Sequence, residues 1–170
     1  MDLRYELPLS WRERQDESAV TSDWRAHLTR VLAAASQLTE GRPEAGAPAG
    51  SEGLRGGDAA LESGRRVTIK QLDRAVYGYL ELCESLGVTP ELDPTTSGAV
   101  ALARATSAPT PIRAVIAGHS LRASDAGWSF GRGPELQATA VELLNFLGGR
   151  SLQAPRPGRR QPNDSDPSGP

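Results

Sequence analysis

Residues that bind metals or form covalent cross-links are scarce in this sequence. Among 170 residues there are one cysteine, Cys83, and two histidines, His27 and His119. A lone cysteine excludes an intramolecular disulfide framework and a zinc site built from several thiolates. Since a chain without disulfides suits a reducing compartment, we expect a cytoplasmic protein.

Long apolar runs and a surplus of positive charge are missing as well. No segment approaches the roughly 18 consecutive apolar residues of a membrane span, and the N-terminus lacks the apolar stretch of a signal peptide. The formal net charge is -2 and the isoelectric point about 5.7. Domains that bind nucleic acid usually have a basic face and a high isoelectric point. We therefore expect neither a membrane nor a nucleic acid as partner.

Glycine and proline, by contrast, are plentiful and unevenly placed. Of the 18 glycines and 13 prolines, 16 lie within residues 40–64 and 154–170, where large apolar side chains are too sparse to offset the entropy lost on ordering. The sequence therefore predicts four regions: an N-terminal arm and amphipathic helix over 1–39, a flexible linker over 40–66, a folded region over 67–152 and a disordered tail over 153–170.

Two segments have the periodicity of amphipathic helices. The first follows Ser22, a candidate N-cap, and repeats apolar residues at helical spacing: Trp24, Leu28, Val31, Leu32, Ala35 and Leu38. The second opens with the capping-box pattern Thr68-Ile69-Lys70-Gln71, and we expect Gly87 to end it. A shorter, alanine-rich helix is predicted from about Thr95 or Thr96 to Arg104.

Strand and turn signals follow these helices. Apolar residues alternate with other types from Ile112 to Ala123, which predicts a strand with one wet face. Turn-forming residues at 124–127 then predict a hairpin whose second strand carries Trp128 and Phe130 on one face.

The last helix signal begins at Thr139 and ends at Gly148. We expect this helix to cover the hairpin face, with Trp128 as the anchor of the small domain. The fold class predicted from the whole chain is α+β, with N-terminal helices followed by a small region of β-hairpin and helix.

Three motifs in this part of the chain resemble a known family. Asp125 and Trp128 frame an Asp-x-x-Trp turn, residues 131–134 form a Gly-x-Gly-Pro link, and an apolar helix ends in Gly149-Arg150. Together they resemble the C-terminal part of the mycothiol-dependent maleylpyruvate isomerase family, over residues 72–150. The resemblance implies a DinB-like four-helix bundle that carries a metal, here only partial, followed by a small α+β accessory domain.

The same resemblance implies three candidate metal ligands. Ala26-His27-Leu28 is similar to the family's Ala-His-Leu string, and the family's Glu-x-x-x-His pair falls at Asp73 and Tyr77 when Leu86-Gly87-Val88 is aligned with the end of that helix. Residues at i and i+4 share a helix face. A tyrosine is nevertheless a poor zinc ligand, because its phenol must first lose a proton with a pKa of about 10. We interpret His27, Asp73 and Tyr77 as a degenerate site, the alternative being a solvated Asp73 beside a packed Tyr77.

Other reactive residues have simpler interpretations. His119 and Ser120 are neighbours in a predicted strand and so point to opposite faces, which argues against a catalytic pair. Cys83 lies on an apolar helix stripe, where a thiol is usually a small core residue. Residues 131–133 lack the flanking pattern of a phosphate-binding loop and are interpreted as a turn.

Two functions are compatible with these observations. The first is a non-catalytic, degenerate family member that binds a protein or small-molecule partner and needs no cofactor. The alternative is a metal- and mycothiol-dependent isomerase or thiol transferase, for which the resemblance implies zinc and mycothiol. Because two long helices and a short one do not easily close a four-helix metal site, a homo-oligomer is a further hypothesis. Another hypothesis is that the natural chain is longer at its N-terminus, because residues 1–64 match the family poorly.

Overall fold

Six helices and a four-stranded sheet form the part of the chain that the computed structural model describes, residues 23–40 and 50–158. The predicted α+β class, with helices first, is confirmed. The helices are α1 (Arg25–Thr39), α2 (Ser51–Glu62), α3 (Ile69–Leu86), α4 (Pro94–Ser107), α5 (Thr110–Ile116) and α6 (Ala140–Leu147). The strands are β1 (Ser120–Ala123), β2 (Ser129–Gly131), β3 (Glu135–Ala138) and β4 (Arg156–Pro157).

The helices α1 and α3 follow their predicted patterns closely. On α1 the buried residues are Leu28, Val31, Leu32 and Ala35. The helix begins after Trp24, and the predicted N-cap Ser22 lies outside the described residues. The predicted capping box of Thr68 and Gln71 opens α3, and Gly87 ends it with a φ of +66°. Sequence signals therefore give the burial, start and end of α3, whereas for α1 they give the buried stripe but not the N-cap, which is Trp24 instead of Ser22.

The helix α2 corrects the prediction of a flexible linker over 40–66. Residues 51–62 form a helix, and residues 41–49 lie outside the described part of the chain. The glycines of α2 allow close packing instead of flexibility. A Cβ placed on Gly53 would lie only 2.5 Å from the carbonyl oxygen of Arg74 on α3, and one on Gly57 would lie 3.1 Å from side-chain atoms of Leu28 and Leu32 on α1.

The strand prediction is correct only for its second half. Residues 110–116 form helix α5, and β1 starts at Ser120. Pro111 occupies the first turn of α5, where its fixed φ suits a helix and its missing N–H costs nothing. Ile112 and Ile116 are four residues apart, so the alternation that predicted a strand also places both on one helix face, and both pack on the core.

The sheet has the strand order β2-β1-β3-β4. The predicted hairpin of β1 and β2 is confirmed as an antiparallel pair, whereas β3, parallel to β1, was not predicted. The prediction of a disordered tail over 153–170 is wrong for residues 156–157, because β4 pairs with β3. Residues 159–170 lie outside the described part.

The helix α6 begins with a capping box of Thr139 and Glu142 and buries Leu143, Leu144 and Leu147, among others. It is not the helix that receives Trp128. The indole of Trp128 lies against Gly98 of α4, and its Nε1 donates a hydrogen bond of 3.0 Å to Ser97 Oγ. Gly98 leaves room for the ring, so α4 forms the cover that α6 was expected to supply.

Candidate functional site

His27 is bound to the start of α4. Its Nδ1 lies 2.9 Å from Oγ1 of Thr96 and 3.6 Å from Oδ2 of Asp93. The Thr96 hydroxyl donates to Asp93 Oδ2, so it can accept from a protonated Nδ1. Asp93 also accepts from the backbone N–H of Thr96 and thereby caps α4. The imidazole therefore forms part of the contact between α1 and the N-terminus of α4.

Asp73 and Tyr77 are brought together by Arg104, a residue that the sequence analysis did not single out. The guanidinium of Arg104 donates to both carboxylate oxygens of Asp73, at 2.6 and 2.7 Å. The same guanidinium lies over the Tyr77 ring, with its central carbon 4.3 Å from the ring centroid. The side chain of Asp73 is only 15% exposed, which excludes the alternative of a solvated carboxylate. A charge-assisted bidentate bond and a cation–π contact thus share one cation.

The Tyr77 hydroxyl is also engaged. It donates a 2.6 Å hydrogen bond to the carbonyl oxygen of Leu144 on α6. The pKa of Tyr77 is raised to about 12, chiefly by burial; the charge of Arg104 opposes this rise and the charge of Asp73 adds to it. The neutral phenol is the stable form, and it links α3 to α6. The interpretation of Tyr77 as a packed residue is the one that this geometry favours.

The three candidate ligands do not converge on one point. His27 contacts α4 at Thr96, and Asp73 contacts it at Arg104. Eight residues of helix separate these two contacts, which is about 12 Å at 1.5 Å per residue. Within residues 23–40 and 50–158, no group of three or more His, Cys, Asp or Glu side chains is placed to hold a metal ion.

The remaining reactive groups have local partners. Burial raises the pKa of the Cys83 thiol, against a hydrogen bond with Tyr79 that lowers it, which suits the predicted core residue. His119 Nδ1 lies 3.0 Å from the carbonyl oxygen of Ala117, in the link between α5 and β1. No catalytic pair is formed by these contacts.

An open groove, which we call the sheet groove, lies on the outer face of the sheet. Its volume is about 1230 Å³. Its floor carries Arg122, Gln137 and Arg156, one wall carries Glu142 and Asn145 of α6, and the other carries Ser151, Gln153 and Pro155 from the segment that leads to β4. Sequence analysis missed it because two of the floor residues belong to β3 and β4, which are too short to give a periodic signal.

Comparisons of the chain with protein-family models, with curated proteins and with solved structures find no match. Among the described residues, no helix is long and apolar enough to cross a membrane.

Proposed function

We propose that this protein is a non-catalytic, degenerate relative of the mycothiol-dependent maleylpyruvate isomerases and acts as a binding domain. On this proposal, α1 to α4 correspond to a partial DinB-like bundle whose metal-binding positions have become structural. The protein works in the cytoplasm, needs neither zinc nor mycothiol, and binds a protein or small-molecule partner rather than nucleic acid. The resemblance over residues 72–150 supports the choice of family. The contacts of Arg104 support a structural role, in place of metal binding, for Asp73 and Tyr77.

The observation that carries the proposal is the position of Arg104. Its guanidinium binds both oxygens of Asp73 and covers the ring of Tyr77. A metal ion that used these two residues would have to take the place of this cation or lie beside it, and like charges at such a distance repel. Arginine is always protonated in proteins, so the guanidinium does not yield its place by losing a proton.

The state of Tyr77 supports the same conclusion. Zinc coordination by a phenol requires its ionised form. With a pKa of about 12 and its proton donated to Leu144, the Tyr77 phenol stays neutral at physiological pH. Ionisation would also break a link between α3 and α6, so ligation would act against the packing of these helices.

Metal content tests the proposal. We expect the full chain, purified without chelators and then supplied with zinc and dialysed, to hold no stoichiometric zinc by elemental analysis. We also expect a chelator to leave its melting temperature unchanged, because no helix depends on a metal. The zinc content of His27→Ala and of Asp73→Asn, each of which lacks one candidate ligand, is measured in the same way.

A single result would restore the alternative function. About one zinc per chain, lost in both His27→Ala and Asp73→Asn, would show that the two residues share a metal, and it would favour the mycothiol-dependent isomerase or thiol transferase. Sedimentation of the same samples tests the homo-oligomer, in which a second copy would supply the ligands that one chain lacks.

A further inference from the structure

The floor of the sheet groove is a row of polar side chains that crosses three strands. The register pairs Arg122 on β1 with Gln137 on β3, and Gln137 with Arg156 on β4. Paired residues of neighbouring strands point to the same face of a sheet. Leu121 and Leu136, which alternate with this row, are buried on the opposite face. The Cα atoms of the two arginines are therefore about 10 Å apart, two strand spacings, with Gln137 between them.

The charged groups of the groove differ in how far they are already paired. Arg122 Nη1 lies 3.5 Å from Oε2 of Glu135, and Glu142 Oε2 accepts from the backbone N–H and the hydroxyl of Thr139. Both carboxylates thus have partners within the protein. Within the described residues the exposed Arg156 makes no side-chain hydrogen bond and no ion pair, although its charge helps to lower the pKa of Glu142 on the facing wall. Its guanidinium donors are therefore open to an incoming carboxylate.

Two amides in the groove are also without partners. The Oδ1 atom of Asn145, on the α6 wall, is buried and has no hydrogen-bond partner among the described residues. Gln137 is half-buried, and its side-chain amide makes no hydrogen bond with the described part of the chain. A buried amide oxygen without a partner is unusual in folded proteins, where such groups are nearly always satisfied. A small rotation of the Asn145 side chain would offer both its donor and its acceptor to a ligand in the groove.

The dimensions of the groove limit the length of the ligand. Its floor follows β3 from Pro134 to Ala138, four residue steps of about 3.3 Å, or about 13 Å in total. This is the length of three to four residues of extended peptide. On the opposite wall, Pro155 has a fixed φ angle and no backbone N–H, so this residue offers a ligand no backbone donor.

We propose that the sheet groove binds the carboxyl-terminal three or four residues of a partner polypeptide. The terminal carboxylate pairs with Arg156, since a guanidinium offers two parallel donors to a carboxylate. The backbone amides pair with Gln137 and Asn145, whose side-chain amides each offer one donor group and one acceptor. This inference rests on the proposed binding function and names its site and ligand class.

The probe is a mixture of N-acetylated tripeptides, randomised at all three positions, with free carboxylates. Added to the full chain labelled with ¹⁵N, it should shift the side-chain N–H₂ signals of Asn145 and Gln137. The same mixture with carboxamide ends should bind at least tenfold more weakly, because it lacks the negative charge. Arg156→Gln should lose the response to the free acids, whereas Arg113→Gln, an equal change of charge on α5, should keep it. An unchanged backbone spectrum of Arg156→Gln would show that it folds normally.

Three results would overturn this proposal. The first is no shift with the whole mixture, the second is equal binding of acids and carboxamides, and the third is an undiminished response of Arg156→Gln to the free acids. None of these results bears on the metal content of the protein, so failure here is distinguishable from failure of the proposed loss of metal chemistry.

Discussion

Arg104 shows how one residue changes the role of its neighbours. Asp73 and Tyr77 are four residues apart on α3, a spacing that suits two metal ligands. The guanidinium from α4 binds the carboxylate and covers the ring, so the same spacing serves to join two helices. No residue near Arg104 in the sequence indicates that it binds Asp73. The two residues are 31 positions apart, and their contact depends on how α3 and α4 pack.

Arg104→Lys should therefore destabilise the fold although the charge is kept. A lysine is a point charge that cannot form the two parallel bonds to Asp73 or stack flat on Tyr77. We expect a loss of about 1–2 kcal/mol in the free energy of unfolding, measured by urea denaturation. The control is Arg74→Lys, an exposed arginine on α3, which should change stability by no more than about 0.5 kcal/mol. Equal effects of the two substitutions would show that the geometry of Arg104 is unimportant.

At the scale of elements, the sequence was most informative where one local pattern determines the structure. The stripe of α1, the capping box of α3, the glycine that ends α3, the helical period of α6 and the β1–β2 hairpin are all predicted from neighbouring residues. Each depends on interactions within a few positions of the chain, such as a side-chain oxygen of Thr68 or Thr139 accepting from a backbone N–H three residues later.

The elements that were missed depend on distant contacts or on very short segments. The composition of α2 indicates flexibility, yet its glycines allow its backbone to approach α3, and that approach cannot be inferred from α2 alone. The period of α5 is ambiguous because Ile112 and Ile116 fit both a strand and a helix. The strands β3 and β4 have four and two residues, fewer than an alternation needs to be recognised. The sheet groove was missed for the same reason.

Two glycines of α2 provide a matched test of this explanation. A Cβ on Gly53 would lie 2.5 Å from the backbone oxygen of Arg74, whereas one on Gly56 would meet nothing within 4 Å. Gly56→Ala should raise the free energy of unfolding by about 0.5–1 kcal/mol, because alanine favours the helix. Gly53→Ala should lower it by about 1–3 kcal/mol, because α2 and α3 would have to separate. Denaturation of both variants measures the difference, and a similar gain in the two would mean that α2 does not pack closely on α3.

At the scale of the whole molecule, polar contacts join segments that are far apart in the sequence. Tyr77 joins α3 to α6, Trp128 joins the hairpin to α4, and the carboxylate of Asp23 accepts from the backbone N–H of Val67 at the start of α3. The buried apolar residues of helices and sheet form one cluster. The sequence predicted the class of fold and the residues of much of this core, but not which elements meet, since that depends on pairs such as Trp128 and Gly98.

Two carboxylates, Asp23 at one of these junctions and Glu142 in the capping box of α6, should make the whole fold sensitive to acid. The backbone N–H of Val67 holds the pKa of Asp23 below its usual value, and the backbone N–H of Thr139, with its hydroxyl, does the same for Glu142. A pKa that is lower in the folded state than in the unfolded chain means that folding favours the charged form. The contribution to stability is complete above the unfolded values of about 3.9 for Asp and 4.3 for Glu, and it is lost as the pH falls through the lower, folded values.

Glu142→Gln separates this titration from the hydrogen bonds themselves. Glutamine at the same position of a capping box still accepts from Thr139 but carries no titrating proton. We therefore expect its free energy of unfolding to be lower than that of the parent at pH 7, because the favoured charged form is missing. It should fall less steeply below about pH 4.3, so that the two curves approach each other in acid. Asp23→Asn should flatten the curve in the same way, and the two changes should add, because the carboxylates share no hydrogen-bond partner. Urea denaturation from pH 7 to pH 2 measures both slopes. A Glu142→Gln curve parallel to that of the parent would show that this carboxylate has the same pKa in the folded and unfolded chain, and that the acid sensitivity of the fold arises elsewhere.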